Sequence, residues 1–365
     1  MEILQTLVRF HPYIGGVENY VYNLSLTLSR MGHRVKIICS EEGGYENIPE
    51  IEIKKLKYLF KIANTNISPM LLTHIVSEDF DVIHTHLPTP WFSDLSAVAS
   101  EMKKVPLILT YHNDITSRGI WKAFSYAYNR FLLNNLLVKA RKIIVSQPRF
   151  YKSPFLRRYR DKITVIPPGV DTYLFRPMKL QKDNAIIFVG KLDRYHDYKN
   201  FDALITALKL LKGRVDVKLY VVGSGSMVPE YINMAKNYSV DDRIVFFGDV
   251  DEEKLVELYN KSLFLVLPSK SGLQEGFGMV AAEALACATP VVVSGIVGIA
   301  GDVVRTGCGL VIKPTVGEIS NAIETLTSQD LRKMGNRGRR LILKKYSWEV
   351  VAKKVERLYT EVLEK

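Results

Sequence analysis

Short apolar runs alternate with helical stretches along almost the whole chain of 365 residues. In the first half, the runs of strand length are Ile3 to Val8, Val35 to Cys39, Val82 to His86, Leu107 to Tyr111 and Ile143 to Val145. In the second half, they are Ala185 to Val189, Val217 to Val222, Ile244 to Phe247, Leu263 to Leu267 and Pro290 to Val293. Strands that are apolar throughout, with helices between them, are typical of parallel sheets covered on both faces. The pattern predicts an α/β protein with two Rossmann-like domains.

The length and one proline-rich segment indicate where the first domain ends. A chain of this length exceeds one typical core and suits two domains of ~150 to 200 residues each. Three prolines and a glycine follow a strand in the run from Ile166 to Pro177, where no helical period can continue. We therefore expect the boundary after residue 168.

Composition limits the cellular location and the classes of binding partner that we expect. No apolar run reaches the ~18 residues of a membrane span, and the chain enters a strand without a basic and apolar leader, so we expect a cytoplasmic protein. Cys39, Cys287 and Cys308 are too widely spaced to predict a disulfide framework or a metal site. Residues 1–168 hold 22 Lys and Arg against 14 Asp and Glu, a net +8 of the formal +12. Such charge favours nucleic acid, anionic lipid headgroups or a diphosphate-linked acceptor, and does not choose between them.

Glu275 and Glu283 stand on either side of a glycine-containing turn that leads into a helix of small residues. The turn and the residue after it are Gly276, Phe277, Gly278 and Met279. If the helix begins near Phe277, its free N–H groups and positive dipole end are available to a phosphate. Carboxylates accept hydrogen bonds from hydroxyls and repel phosphate, so two acids suit an anion that also carries hydroxyls. A nucleotide-sugar meets that description, and an ordinary amphipathic helix with a glutamate at each end is the alternative.

Two segments of the first half follow predicted strands. Gly15 and Gly16 stand between the first strand and the first helix, where a glycine pair either lets the backbone approach an anion or makes a tight turn. His112 lies at the carboxyl edge of the sheet, where open α/β sheets bind ligands, although a lone histidine is more often structural. His84 and His86 share one face of a strand. Because no third metal ligand is evident, we predict that they pack or line a cleft.

Cationic residues follow the first strand of the second half. Lys191, Arg194 and Lys199 all stand before the next helix. Fixed cations can neutralise negative charge that develops on a bound ligand, as a metal does elsewhere. The Asp-x-Asp run ending at Asp251 precedes a helix, and Asp251 is expected to cap its first turn. We therefore predict no metal ligands and no required metal cofactor.

These segments, taken in order, resemble the family-4 retaining glycosyltransferases, also called glycosyl transferases group 1. The resemblance rests on the Gly15-Gly16 loop, on Glu-x7-Glu around Gly-Phe-Gly and on the Glu-Ala-x-Ala-x-x-x-Pro-Val that follows, and it spans nearly the whole chain. It implies the GT-B fold, in which two Rossmann-like domains face a central cleft and a terminal helix returns to the first domain. The implied domains are residues 1–168 with 346–365, which bind the acceptor, and residues 169–345, which bind the nucleotide-sugar.

The resemblance also implies a reaction. A hexose-type sugar would move from a UDP- or GDP-sugar to a hydroxyl of a glycan or lipid-linked acceptor, with retention of configuration and with closure of the domains over the donor. His112 is then expected to orient the transferred sugar, and Glu275 is expected to hold its hydroxyls. Glu283 is expected to hold the ribose. The Gly15-Gly16 loop is expected to lie next to the donor diphosphate and the acceptor.

The cations have corresponding roles in the resemblance. Lys191, Lys199 and the helix after Phe277 are expected to hold the diphosphate. The family normally has arginine where Lys191 stands, and Arg194 is expected to supply the missing guanidinium. It also normally has glycine after the second cation, where this chain has Asn200.

Other functions and partners stay open at this point. The same fold serves sugar-nucleotide epimerases and glycan phosphorylases, and a basic chain could bind a membrane or nucleic acid without catalysis. Aromatic residues after Trp121 and the basic cluster from Arg149 to Lys162 are either core with a solvated face or an attachment to an anionic membrane surface. No nucleic-acid motif is recognised, so nucleic acid is not expected as a partner. The expected partners are the nucleotide-sugar donor and a glycan or lipid-linked acceptor.

Overall fold

The computed structural model describes residues 1–13, 15–42, 44, 47–62, 65–113, 115, 125–272 and 274–364. The chain divides into two compact units, Met1–Gly169 with Trp348–Lys365, and Val170–Ser347. The chain leaves the first unit after Gly169, one residue later than the expected boundary at 168. It returns to the first unit after Ser347, two residues later than the expected boundary at 345. Trp121 of the predicted aromatic helix lies outside the described residues.

A parallel sheet forms the centre of the first unit. The strands of this unit are β1 (Glu2–Thr6), β2 (Arg34–Ser40), β3 (Glu52–Leu56), β4 (Phe60–Ile62), β5 (Thr65–Ile67), β6 (Val82–Leu87), β7 (Leu107–Tyr111), β8 (Lys142–Val145) and β9 (Ile163–Val165). The sheet has the order β3-β2-β1-β6-β7-β8-β9, and β4 and β5 form a separate antiparallel hairpin. The order reverses between β1 and β6, which pair in parallel with Gln5 opposite His84.

Helices cover both faces of this sheet. They are α1 (Gly16–Arg30), α2 (Leu71–Ser77), α3 (Phe92–Lys103) and α4 (Leu133–Lys139), with a π-helical turn at Tyr128–Leu132 and 3-10 turns at Pro148–Lys152 and Arg157–Lys162. Alternate strand residues point to opposite faces. Ile144 therefore joins the core beneath α1, whereas Ile143 and Val145 join the core beneath α2, α3 and α4.

The second unit repeats this architecture. Its strands are β10 (Ala185–Val189), β11 (Lys218–Val222), β12 (Ile244–Gly248), β13 (Leu265–Leu267), β14 (Val291–Ser294) and β15 (Gly309–Ile312), all parallel in the order β12-β11-β10-β13-β14-β15. Its helices are α5 (Phe201–Leu210), α6 (Val228–Asn237), α7 (Glu252–Lys261), α8 (Met279–Ala286), α9 (Ala300–Thr306), α10 (Val316–Thr327) and α11 (Arg332–Lys345), with 3-10 turns at Arg194–Lys199 and Asp241–Arg243. Here the strand order reverses between β10 and β13.

The C-terminal helix α12 (Trp348–Leu363) belongs to the first unit. Its apolar face, which includes Val351 and Val355, packs in the same core as Leu24 of α1. Nε2 of His33 lies 2.7 Å from Oε1 of Glu356, which adds a polar contact to this packing. No helix in the described part of the chain has both the length and the apolar character needed to cross a membrane.

Candidate active site

A lysine and a glutamate meet at the point where the strand order of the second unit reverses. Lys199 follows β10 and Glu275 follows β13, and their side-chain atoms Nζ and Oε2 are 3.5 Å apart. Both side chains are largely buried, at 12% and 7% exposure. Ligands of open α/β sheets bind at the carboxyl ends of the strands where the order reverses. The pair therefore places one cation and one anion where this fold holds its ligand.

Hydrogen bonds from neighbouring serines hold Glu275 in place. The hydroxyl of Ser269, directly after Pro268 at the end of β13, donates to Oε2 of Glu275 over 2.5 Å. Ser294, at the end of β14, donates to the carbonyl of Ser269 over 2.6 Å. Oε2 of Glu275 thus receives both the Lys199 ammonium and a hydroxyl, while the described residues provide no such partner for Oε1.

Local backbone geometry positions Lys199. The side chain of Asp193 accepts from the N–H groups of Tyr195 and His196 and so begins the 3-10 turn that ends at Lys199. Asn200 follows with φ of 61°, in the left-handed region that glycine and asparagine tolerate best. Its side-chain nitrogen donates to the carbonyl of Pro268 over 3.2 Å. This explains how asparagine can stand where the family normally has glycine.

Gly190 leaves the space through which the Lys199 side chain passes. A Cβ atom built on Gly190 would lie 2.6 Å from Cδ of Lys199, which is closer than real Cβ atoms approach a neighbour. The glycine directly after β10 therefore allows the lysine stem to cross the end of the strand.

The turn before α8 differs in part from the expected arrangement. The helix begins at Met279 rather than near Phe277. The Phe277 side chain is buried, with its ring centroid 4.9 Å from that of Tyr346, so only its backbone remains available to a ligand. Gly278 is the N-cap residue with φ of +88°, and a Cβ there would lie 2.4 Å from Cγ1 of Val297. Gly276 has no atom within 4 Å of an added Cβ.

Glu283 lies on α8 in a setting that favours its protonated form. The hydroxyl of Tyr259 donates to Oε2 of Glu283 over 3.0 Å. Burial raises the pKa of Glu283 to about 7, with a smaller contribution from the negative charge of Glu252, whereas the Tyr259 hydrogen bond opposes the rise. The carboxyl is therefore protonated more easily than that of an exposed glutamate. Hydroxyl groups that donate to it would favour the ionised form.

The other two predicted cations, Lys191 and Arg194, have exposed side chains. Lys191 is exposed, and its ammonium has no ion-pair partner among the described residues. The Arg194 guanidinium is 83% exposed and lies 3.7 Å from Glu230. The structure therefore does not place Arg194 with Lys199 and Glu275, and the expectation that it replaces the missing guanidinium gains no support.

The Asp-x-Asp run makes helix and loop contacts. Asp251 is the N-cap residue of α7 and accepts from the N–H of Lys254 over 2.7 Å, which confirms the predicted cap. Asp249 accepts from the hydroxyl of Ser224 over 2.5 Å. Within the residues that the structure describes, no three His, Cys, Asp or Glu side chains group as metal ligands do.

The first unit places its predicted residues around the start of α1 and the end of β7. Gly15 is the N-cap residue of α1 with an extended backbone, φ of −165°, and its carbonyl accepts from the N–H of Asn19. Gly16 begins the helix, and a Cβ there would meet no atom within 4 Å. His112 follows β7, and its backbone N–H donates to Leu87 at the end of β6.

Buried histidines surround His112. His84 contacts the Tyr359 hydroxyl through Nδ1 at 2.6 Å and the Thr110 hydroxyl through Nε2 at 2.7 Å. Burial lowers the pKa of His84 to about 3 and that of His112 to about 4, so both rings are neutral at physiological pH. Nδ1 of His86 lies 3.3 Å from Nε2 of His112. His86 thus contacts His112 directly, whereas His84 packs against the His86 ring, with a centroid distance of 4.5 Å.

The sequence patterns did not predict a role at the site for Ser269, Tyr259 or Gln5. Ser269 could have been found because it follows a buried strand at a carboxyl edge, where polar residues meet ligands. Tyr259 contacts Glu283 from a different helix, and no spacing in the sequence connects the two. Gln5 stands inside the apolar run of β1, where one buried amide is itself a signal, because a buried polar group needs a partner.

Comparisons with known proteins concern the family and the fold. The family model described as "Glycosyltransferase Family 4" matches residues 14–174, and that described as "Glycosyl transferases group 1" matches residues 171–341. The chain is 27% identical over 372 residues to the "Uncharacterized glycosyltransferase MJ1178" of Methanocaldococcus jannaschii, covering 99% of each chain. It is 25% identical over 380 residues to the "N-acetyl-alpha-D-glucosaminyl L-malate synthase" of Bacillus anthracis, covering 97% of this chain and 96% of that protein.

Among solved structures, Alr3699/HepE of Anabaena in complex with UDP has a TM-score of 0.79 at 18% identity, covering 99% of this chain and 100% of the other. The same protein in complex with UDP-glucose has a TM-score of 0.73. This likeness shows a shared fold.

Proposed function

This chain is a glycosyltransferase of family 4 with the GT-B fold, and we propose that it transfers a hexose-type sugar from a nucleotide-sugar to an acceptor hydroxyl with retention of configuration. The observation that carries the proposal is the buried Lys199–Glu275 pair at the strand reversal of the second unit. It offers a cation for a diphosphate beside an acceptor of hydroxyl hydrogen bonds. Alr3699/HepE, a protein of the same fold, has been solved in complex with UDP and with UDP-glucose. A UDP-sugar is therefore the first donor to test.

The second unit would bind the donor. An ammonium has three donors, so Lys199 can keep its contact with Glu275 while it also binds a phosphate oxygen. Lys191, exposed at the same strand end, adds a second positive charge. Glu275 accepts from hydroxyls of the transferred sugar, and Glu283 accepts from hydroxyls of the ribose. His112 of the first unit contacts the sugar, and Gly16, where an added Cβ would meet no atom within 4 Å, allows a close approach of ligand to the start of α1.

The proposed chemical step is a front-face displacement. The bond between the sugar's anomeric carbon and the leaving phosphate oxygen breaks, and a bond from the acceptor oxygen forms on the same face. The acceptor hydroxyl gives its proton to the departing phosphate oxygen, so the products are the glycoside and the nucleoside diphosphate. Lys199 stabilises the charge that develops on that diphosphate, which supplies the electrostatic part of catalysis without a required metal.

Nucleotide binding provides the direct test of this function. We expect one of UDP, GDP and ADP to stabilise the full chain by about 2.7 kcal/mol at a hundredfold excess over its Kd, measured as a rise in Tm. The matching nucleotide-sugar should then give a glycoside with the donor's anomeric configuration, read by NMR. The Glu283→Gln variant should lose part of the shift with nucleoside and nucleotide alike, because both contain the ribose. Absence of both a shift and transfer would contradict the proposal.

We also propose that the first unit attaches to an anionic membrane surface that carries a lipid-linked acceptor. A cavity of about 450 Å³ lies between the end of the π-helical turn, α4 and the 3-10 turn at Arg157–Lys162. Its lining includes Arg130, Arg157 and Arg158, and none of the three has an ion-pair partner in the described part of the chain. Three unneutralised guanidiniums in one cavity favour lipid phosphates.

Aromatic side chains at the same cavity support the membrane over a soluble anion. Tyr126 and Phe131 are each 70% exposed beside these arginines. Exposed aromatic rings next to basic residues are typical of surfaces that settle at a membrane interface.

Vesicle flotation tests this attachment. The full chain should bind vesicles of mixed phosphatidylcholine and phosphatidylglycerol but not phosphatidylcholine alone. Replacing Arg130, Arg157 and Arg158 by alanine should weaken binding roughly a hundredfold, at about 1 kcal/mol for each charge near the surface. The matched control replaces Lys333, Arg340 and Lys344 of α11 by alanine, which removes the same charge from the second unit. Equal losses in the two triple variants would show unspecific attraction and overturn the proposal.

A further inference from the structure

The buried histidines of the first unit form a directed chain of hydrogen bonds that ends on His112. Gln5, on β1, has its side-chain Oε1 2.8 Å from Nε2 of His86. Nδ1 of His86 lies 3.3 Å from Nε2 of His112. Gln5 and His86 are fully buried, so solvent does not replace either partner.

The direction of the chain follows from the orientation of the Gln5 amide, whose Oε1 faces His86 and can only accept, while its buried Nε2 has no hydrogen-bond partner among the described residues. His86 therefore carries a proton on Nε2 and donates it. Burial keeps the pKa of His86 well below its usual range, so the ring is neutral and carries that one proton. Its Nδ1 is then an acceptor, and the proton in the second bond belongs to Nε2 of His112.

His112 is left with an unprotonated Nδ1 that accepts no hydrogen bond from the described residues. The ring of Tyr20 packs edge-on against both imidazoles, with centroid distances of 5.8 Å to His86 and 4.9 Å to His112. This contact fixes the planes of the two rings. Nδ1 of His112 is therefore both oriented and available as an acceptor.

We infer that Gln5 and His86 are positioning residues that hold His112 as the Nε2–H tautomer, so that its Nδ1 accepts a hydrogen bond from a hydroxyl of the transferred sugar. The sugar contact rests on the proposed function, whereas the tautomer is a property of the free protein. The sugar hydroxyl must therefore act as a donor to the protein at this position.

NMR of the free full-length chain tests the tautomer without substrate. With seven histidines in the sequence, long-range ¹H–¹⁵N spectra of histidine-labelled protein can be assigned by single replacements. At neutral pH, we expect His86 and His112 each to show a protonated Nε2 and an unprotonated Nδ1. In Gln5→Leu, a donor at Nε2 of His86 would face an apolar side chain, so both rings should reverse to the Nδ1–H form. Gln147→Leu, a second buried glutamine of this unit, is the control and should leave both rings unchanged.

The NMR spectra test the tautomer of His112, and the transfer rate of Gln5→Leu tests the sugar contact. An Nδ1-protonated His112 in the parent chain, or unchanged rings in Gln5→Leu, overturns the positioning role. With the rings reversed, Gln5→Leu should lower kcat/KM for transfer roughly tenfold, the worth of one hydrogen bond to the sugar, while UDP affinity stays within a few-fold. Reversed rings with unchanged transfer would refute the sugar contact of His112 and leave the tautomer control standing.

Discussion

Replacing Lys199 by alanine is expected to lower the rate of sugar transfer roughly 10²- to 10³-fold, the usual cost of losing one group that stabilises developing charge. Lys199 is the cation that the fold buries beside Glu275, so the exposed Lys191 is not expected to replace it fully. The loss should appear in kcat from single-turnover rates. Affinity should fall for the nucleoside diphosphate but not for the nucleoside, because the lysine contacts only phosphate.

Glu275→Gln provides the complementary measurement. Its transfer rate should fall by a similar factor, but UDP affinity should stay close to that of the parent, because Glu275 is proposed to contact the transferred sugar, which UDP lacks. Lys270→Ala is the matched control, since Lys270 is a neighbouring lysine whose ion pair with Asp197, at 2.9 Å, lies near the surface. Transfer rates within a few-fold of the parent in both Lys199→Ala and Glu275→Gln would show that the assigned roles are wrong.

Gly278→Ala is expected to reduce the free energy of unfolding by about 2 to 5 kcal/mol. The left-handed φ of +88° costs a residue with Cβ ~1–2 kcal/mol. The new Cβ, 2.4 Å from Cγ1 of Val297, adds ~1–3 kcal/mol for overpacking. Urea denaturation of parent and variant measures the difference, and the double variant with Val297→Ala should recover part of the overpacking cost.

Gly276→Ala is the control for that stability measurement. Gly276 lies outside the left-handed region, and an added Cβ meets no atom within 4 Å. The free energy of unfolding of the Gly276→Ala variant should therefore differ from that of the parent by less than ~1 kcal/mol. It can rise, because alanine restricts the conformations of the unfolded chain. Equal losses at the two positions would contradict the steric argument. A folded Gly276→Ala variant with weakened donor binding would indicate that the ligand uses the open space at this glycine.

The central strands could be predicted from the sequence, but several edge strands could not. Strands such as β7 and β10 are buried on both faces, so they read as continuous apolar runs, and the expected bounds agree with the observed ones. By contrast, β3 and β15 lie at sheet edges. In β3, the sequence Glu-Ile-Lys-Lys-Leu carries charges that suit a partly exposed edge and hide the strand from an apolar pattern.

The sequence predicted only those site residues that follow a strand or a glycine-containing turn. Lys199 and Glu275 were both expected, because each stands in a recognisable segment after a buried strand. Their direct contact was not expected, since it depends on the pairing of β10 with β13, which are far apart in sequence. Arg194 was expected to supply the guanidinium that the family normally has where Lys191 stands, but its guanidinium lies 3.7 Å from Glu230.

The division of the chain also sets an order for folding during synthesis. The second unit is one continuous segment, Val170–Ser347, and all of its core residues are made before α12 begins. Most of the first unit, Met1–Gly169, is made before the second unit. Its core nevertheless lacks Trp348, Val351 and Tyr359 until α12 is made. Domains usually complete folding as units in the order of their synthesis. In this protein, the unit that begins the chain can finish its core only after the unit inserted within it has been made.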